Sequence, residues 1–304
     1  MKHHLIMSSV FCNKEDVHAR QVIQAVNQRL SNVTVSESEK PGHAEQLSRE
    51  ALRNGVDSIL VAAGDATIHE VVNGFFDNDI PVANRPHLGI IPTGDRSDFK
   101  RTAGTPGRLT DAVERICSNE PKAIDLGRIT AADGKIRYFA NVASTGVSAA
   151  IGKSNRRAKW LRQIDGDWAF NWSVVKNSLL HKRFPLRITM PGGSQFQWDA
   201  NCVAICNGQS FGGGIKVARD ADLSDGFLDI IVVHDFTKTE FLKGVNQIRE
   251  DEFAEFEGIS TIRTRSVEIA CDDPKRKILV DADNCYSGML PAKFDVVPGA
   301  VNLF

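Results

Sequence analysis

Along the first third of the chain, apolar runs alternate with stretches whose apolar residues recur every three or four positions. Residues 4–10, 57–63 and 87–92 read as strands, the second of them an almost unbroken apolar run, as expected for a sheet covered on both faces. The segments at 14–30, 45–54, 67–76 and 109–118 carry helical periodicity, and Gly55 supplies a stop signal for the second. Strand and helix alternating at this spacing predict a parallel, doubly wound sheet. After about Pro121 the pattern changes. Short β-rich segments at 123–130, 137–143, 184–190, 201–206, 227–233, 266–270, 277–280 and 292–297 are punctuated by Gly, Asp and Asn. They predict a second, mainly antiparallel β domain, interrupted by a long helical stretch at 156–180 that carries Trp160, Trp168, Phe170 and Trp172. No internal repeat and no Pro/Ser-rich linker marks the boundary.

Composition narrows the classes. A net charge of −1 over 304 residues gives no bulk electrostatic case for nucleic acid or an anionic membrane as the main partner. No stretch approaches the roughly 18 apolar residues of a transmembrane helix, and residues 1–10 are too short and too interrupted for a signal peptide. Cys12, Cys117, Cys202, Cys206, Cys271 and Cys285 form no C-x-x-C pair and no ligand spacing, so they are expected to be reduced thiols in the cytosol. Cys202 and Cys206, an even number apart in one strand, are expected on one face.

The sharpest chemical signal is Val61-Ala62-Ala63-Gly64-Asp65-Ala66-Thr67-Ile68-His69-Glu70. A buried strand runs into a tight turn, and Thr67 with Glu70 reads as a capping box opening the next helix. Such a turn presents backbone amides and a positive helix end, the means by which proteins cradle phosphate. Asp65 falls at the C-terminal edge of the sheet, where open α/β folds bind ligands, and a carboxylate there handles a metal ion or a proton. An ordinary capped turn with a surface Asp65 accounts for the motif as well. A second apolar strand ends in Gly89-Ile90-Ile91-Pro92-Thr93-Gly94-Asp95-Arg96-Ser97-Asp98-Phe99, on the same edge, and the pair favours the functional reading.

At this point the residues resemble a known family. Gly64-Asp65, Thr67 and Glu70-Val71-Val72-Asn73-Gly74 resemble the G-G-D-G-T-x-x-E-V-x-N-G signature of the diacylglycerol, sphingosine and ceramide kinase superfamily, which includes bacterial soluble lipid kinases. The second turn resembles that family's G-x-x-P-x-G-T-x-N-D-F-A-R. Later blocks follow in order: Ile124-Asp125-Leu126-Gly127, Phe139-Ala140-Asn141-Val142-Ala143, Asn207-Gly208, residues 211–216, residues 220–229, Val280-Asp281-Ala282-Asp283, and the closing Pro298-Gly299-Ala300. NAD kinases and phosphofructokinases share the G-G-D-G element but not the later blocks.

The resemblance implies a Rossmann-like, NAD kinase/phosphofructokinase-like catalytic domain over 1–122, a β-sandwich domain over 123–288, and a segment 289–304 returning to the first domain. It implies an ATP-dependent phosphotransferase acting on a hydroxyl of a diacylglycerol-like or long-chain-base lipid at the membrane surface, from a cytoplasmic location; a homodimer is compatible with the sequence. By carry-over, Ser38, Ala63, Gly64, Asp65, Ala66, Thr67, Ile68, His69, Gly94 and Asp95 would line the nucleotide. Asp283 would take the place of the glutamate regarded as catalytic base, with Asp65 serving the phosphate through metal or water. Asp225, with the main-chain carbonyls of Asp222 and Phe227, would hold a structural Mg²⁺.

The chain departs from the family pattern at the nucleotide. Ala63 and Ala66 stand where the family has glycines, and alanine forced to positive φ costs roughly 1–2 kcal/mol. Asp95 and Ser97 stand where threonine and asparagine are usual, and a carboxylate about 4 Å from a phosphate charge costs on the order of 4 kcal/mol at an effective dielectric of 20. Asp283 is one methylene shorter than the usual glutamate. These departures leave a second reading open: a catalytically impaired member that binds lipid or another ligand. The basic, aromatic segment Arg156-Arg157, Lys159-Trp160 and Arg162 reads either as a lipid-headgroup contact or as a solvated helix.

Overall fold

A computed structural model describes residues 1–8, 17–93, 97–118, 121–157, 182–237 and 258–304. The first domain runs β1 (His3–Ser8), α1 (Val17–Arg29), β2 (Val33–Ser38), α2 (His43–Arg53), β3 (Ser58–Ala62), α3 (Asp65–Gly74), a small hairpin β4 (Phe76–Asp77) and β5 (Ile80–Pro81), β6 (His87–Ile91), α4 (Asp98–Thr102) and α5 (Leu109–Ser118). The second continues with β7 (Lys122–Ala131), β8 (Ile136–Phe139), β9 (Val142–Gly146), α6 (Val147–Arg157), β10 (Phe184–Thr189), β11 (Gln195–Cys206), β12 (Ser210–Phe211), β13 (Ile215–Lys216) and β14 (Leu228–His234). It closes with β15 (Ile259–Thr264), β16 (Ser266–Cys271), β17 (Leu279–Ala282), β18 (Cys285–Met289) and β19 (Ala292–Leu303). Most of the expected 156–180 helix, with Trp160, Trp168, Phe170 and Trp172, lies outside the described residues.

In the first domain β2, β1, β3 and β6 pair in that order, all parallel. Alternate residues of each strand feed opposite cores, which is why these strands read as apolar runs. Ile6, Ile59, Val61, Leu88 and Ile90 pack towards α2 and α3, whereas Leu5, Met7, Leu60, Ala62 and Ile91 pack towards α1 and α5. Gly74 permits the close crossing of α2 and α3: a Cβ there would lie 2.5 Å from the Glu45 carbonyl oxygen.

The second domain is antiparallel and sandwich-like, built round Ile129, Phe139, Phe184, Val203, Ile230, Ile269, Val280 and Phe294. The stretch expected as one strand over 137–143 is two, β8 and β9, interrupted at Ala140-Asn141. β19 joins the domains. It runs antiparallel to β16 and β7, is interrupted between Val297 and Val301, and ends parallel to β6 through Asn302 and Leu303. Cys202 and Cys206 do lie in one strand, and burial pushes both thiols well above the usual range.

On β7, Gly127 pairs with Phe139 of β8, and the Phe139 ring lies across the glycine: a Cβ would sit 1.9 Å from ring atom Cζ. We expect Gly127→Ala to lower stability by about 1–3 kcal/mol, as overpacked core positions do. Urea unfolding reads it as a lower midpoint at unchanged slope.

Candidate active site

The parallel strands place Ser38, Ala63 and Pro92 on one edge of the sheet, at or just beyond the C-terminal ends of β2, β3 and β6. Helix α3 starts there, one turn earlier than the sequence suggested. Gly64 is its N-cap in extended conformation (φ −87°, ψ 178°), and Asp65 is its first residue. Thr67 is therefore inside the helix, and its amide bonds to the Gly64 carbonyl at 3.0 Å. The expected capping box does not form. Glu70 instead reaches across to the start of α2 and accepts from the Ala44 amide at 3.2 Å. A helix N-terminus at a strand end is still a place where phosphate can be cradled.

Neither Ala63 nor Ala66 has a positive φ among the described residues, so the strain expected from replacing glycine does not arise. Ala63 is buried at the end of the strand run and Ala66 is solvent-exposed. Gly94 and Asp95 of the second turn lie outside the described residues.

Asp65 is not a surface residue. It is 7% exposed, and its carboxylate binds the start of α4: Oδ1 accepts from the Ser97 hydroxyl at 2.5 Å and the Phe99 amide at 3.3 Å, and Oδ2 from the Asp98 amide at 2.9 Å. Ser97 in turn accepts from the Lys100 amide at 3.0 Å. Asp65 therefore ties the first turn to the helix that follows the second. Burial raises its pKa from 3.8 to about 7, helped by the neighbouring Asp98 and Asp283 carboxylates and opposed by the Ser97 and Asp98 hydrogen bonds.

Asp283 comes from the second domain, at the β17–β18 hairpin. Asp283 and Asn284 are the two loop residues, both left-handed (φ 46° and 66°), as a two-residue type I′ turn requires; Asp and Asn tolerate that conformation. The carboxylate fills the gap between β8 and β9. Its Oδ2 accepts from the Ala140 amide at 2.7 Å, and its Oδ1 from the Asn141 and Val142 amides at 3.1 and 3.0 Å. Oδ2 also lies 3.7 Å from Nδ1 of His69 on α3. The structure thus brings Asp65, His69 and Asp283 together at the mouth of the first turn, and Cys285 contacts the Ala66 carbonyl oxygen there.

A further contact between the domains was not legible in the motifs. Asp98 accepts from the Gly213 and Gly214 amides at 2.9 and 2.6 Å, so the first domain grips the glycine loop of the second. The only sequence signal was the Gly212-Gly213-Gly214 run itself, whose positive φ angles turn those amides outward.

The acidic turn at 220–229, expected to hold a cation, has its carboxylates engaged by protein groups. Asp225 Oδ2 makes a 2.5 Å bond to the Arg263 guanidinium and Oδ1 accepts from the Phe227 amide at 2.8 Å. Asp222 folds back to accept from the Ser224 amide and hydroxyl. Arg263 and Arg265 flank the Phe227 ring at 5.0 and 4.9 Å from its centroid. The turn is further held by Asp125, which accepts from the Gly226 amide at 2.7 Å. Among the described residues no group of three His, Cys, Asp or Glu side chains is placed to hold a metal. The set expected for Mg²⁺ draws on one side chain, that of Asp225, with the carbonyls of Asp222 and Phe227, and in this structure that side chain is paired with Arg263.

Comparison with known proteins places these features. Residues 9–129 match the family model described as the diacylglycerol kinase catalytic domain. Residues 141–304 match the YegS C-terminal NAD kinase beta sandwich-like domain. A diacylglycerol kinase of Mycobacterium tuberculosis is 29% identical over 261 residues, 86% of this chain and 80% of its own length. One from Bacillus subtilis is 27% identical over 279 residues, 91% of this chain and 87% of its own. Among solved structures, a diacylglycerol kinase from Bacillus anthracis aligns with a TM-score of 0.70 at 22% identity, covering 99% of this chain and 96% of that one. Another chain from that organism reaches 0.78 at 24% identity. At such identities the structural likeness speaks for the fold.

Two measurements follow from this geometry. Asp65 keeps its proton to higher pH in the folded chain than in the unfolded one. Its contribution to stability is therefore present below pH 4 and lost as pH rises through about 7. Asp65→Asn should flatten that fall, by a few kcal/mol at most, in urea midpoints taken at pH 5 and pH 8. At the acidic turn, EDTA and millimolar Mg²⁺ should leave the wild-type melting temperature unchanged. Arg263→Ala should cost about 1 kcal/mol and make the melting temperature respond to Mg²⁺, because Asp222, Asp225 and Asp229 then lose their shared counter-charge.

Proposed function

We propose that this chain, which belongs to the diacylglycerol kinase and YegS-like lipid kinase family, transfers the γ-phosphate of ATP to a hydroxyl of a diacylglycerol-like or long-chain-base lipid. One observation carries the reading: the Asp283 carboxylate of the second domain meets the first turn of the first domain beside His69 and Asp65. Phosphoryl transfer asks little covalent chemistry of a protein. It asks that the phosphate be held, that developing charge be offset, and that the attacking hydroxyl lose its proton to a placed base.

In this reading Mg·ATP enters as substrate between the domains. Ser38 and the 63–69 segment face its phosphates, with the α3 N-terminus supplying amides and a positive potential. Gly94 and Asp95 belong to the same proposed lining. Asp65 acts indirectly, by fixing the start of α4 against the first turn. Asp283 accepts the lipid hydroxyl's proton. A carboxylate has about four lone-pair positions, and three on Asp283 are taken by amides, which leaves one acceptor direction on Oδ2. The three amides fix the group where a flexible side chain would have to be ordered at each turnover. No helix among the described residues is long and apolar enough to cross a membrane. In this reading the lipid is met at the membrane surface from the cytoplasm, by a catalytic domain assigned to 1–122 and a β domain assigned to 123–288 with its closing segment 289–304.

Transfer of label from [γ-³²P]ATP to diacylglycerol in mixed micelles tests the proposal. Asp283→Asn keeps the acceptor oxygen and removes the base. It should lower kcat by about 100- to 10,000-fold while calorimetric Mg·ATP affinity stays put. Wild-type calorimetric silence up to millimolar Mg·ATP would remove the kinase reading altogether.

A further inference from the structure

This reaction draws on the 63–69 segment through its backbone and leaves the side chain of one buried residue, His69, without a task. It sits in the second turn of α3 at 0% exposure, and both its ring nitrogens lack any hydrogen-bond partner. An imidazole always has at least one N–H to donate, so a ring sealed from water with neither nitrogen paired is costly and calls for an explanation.

The geometry supplies one. His69 and Asn73 are one helical turn apart and share a face of α3. Asn73 is fully used. Its amide donates to the Tyr138 carbonyl at 2.9 Å, its oxygen accepts from the Tyr138 amide at 2.9 Å, and it also caps the His69 carbonyl at 2.8 Å. That face of α3 is thereby docked on β8, immediately before the amides of Ala140, Asn141 and Val142 that hold Asp283. One turn towards the helix N-terminus, Nδ1 of His69 faces Asp283 Oδ2 at 3.7 Å. Oδ2 is the carboxylate oxygen that accepts only one amide, Oδ1 accepting two. The unpaired donor and the incompletely used acceptor thus point at each other, short of a hydrogen bond of about 2.9 Å by about 0.8 Å.

We propose that His69 is the positioning residue for Asp283: it carries its proton on Nδ1, set against the one acceptor direction of Oδ2 that the amides leave, and steadies the carboxylate there until the lipid hydroxyl takes that place. This rests on the kinase reading for its purpose, but not for its detection.

Two experiments test it. In the labelled full-length chain, long-range nitrogen–proton spectra report the His69 tautomer, assigned by its loss in His69→Asn. The proton should be found on Nδ1, and Asp283→Asn should perturb the ring. A proton on Nε2, or a ring indifferent to Asp283→Asn, overturns the proposal whether or not the chain is a kinase. In the labelled-ATP assay, His69→Ala should lower kcat about 10- to 100-fold with little change in KM for Mg·ATP. His69→Asn, whose amide nitrogen can occupy the Nδ1 position, should restore most of the loss, whereas His69→Gln, which reaches towards the Nε2 position, should not. Equal activity of the Asn and Gln variants would reduce His69 to packing and refute the assignment. A wild-type chain without turnover would sink the kinase reading and leave the tautomer result standing.

Discussion

Buried backbone amides that belong to no strand or helix ladder must find an acceptor, since leaving one unpaired costs about 1–3 kcal/mol. Where distant segments of this chain meet, aspartates answer that need. Asp283 takes the three amides at the β8–β9 break. Asp98 takes Gly213 and Gly214, and Asp125 takes Gly226 and Gly299, the last at 2.7 Å. Every one of these pairings joins segments more than eighty residues apart. The Asp98 pairings cross from the first domain to the second, beside an apolar seam in which Leu126, Tyr138 and Ala140 share a core with Val71 and Val72 of α3 and its C-cap Phe75.

That constraint explains several residues at once. Gly213, Gly214, Gly226 and Gly299 all have positive φ and all present their amides to an aspartate, so glycine and carboxylate at these places are two halves of one device. Asparagines complete it. Asn207 donates to the carbonyls of Asp125 and Ala140, and Asn141 donates to Ser210 while its oxygen accepts from Thr102. The same economy limits the chemistry. A carboxylate already bound to three donors offers a reactant one direction only, which turns a flexible acid into an oriented one.

Much of the scaffold was legible because it obeys local rules. The helix at 109–118 matches the expected span residue for residue, and β3 and β6 match to within a residue at each end. The misreadings have physical causes. Thr67 and Glu70 satisfy the capping-box spacing, but Gly64 already caps the helix and Glu70 finds a better use across the α2–α3 crossing; spacing cannot report a tertiary competitor. The 137–143 run reads as one strand, and its hint of the break that Asp283 fills is Asn141, a residue type that strands disfavour. The acidic turn, read from its own residues, could not show that Arg263, 38 positions further on, pairs with Asp225. Asp65 is singled out by the strand–turn pattern and Asp283 by the family resemblance. Their partners Asp98 and His69 acquire meaning only through distances.

β19 has a consequence for how the molecule is made. The outer edge of β6 is covered by Asn302 and Leu303, and Phe304 closes the position by stacking on His87 at a ring separation of 5.4 Å. During synthesis from the N-terminus, the α/β domain emerges roughly two hundred residues before the strand that completes its sheet. Until then it presents a bare parallel edge to the crowded cell, the kind of surface that recruits unwanted strands. Asn302, Leu303 and Phe304 thus act as a lock on the α/β sheet, and a chain lacking them would carry every motif and still leave the ribosome with an open, adhesive border.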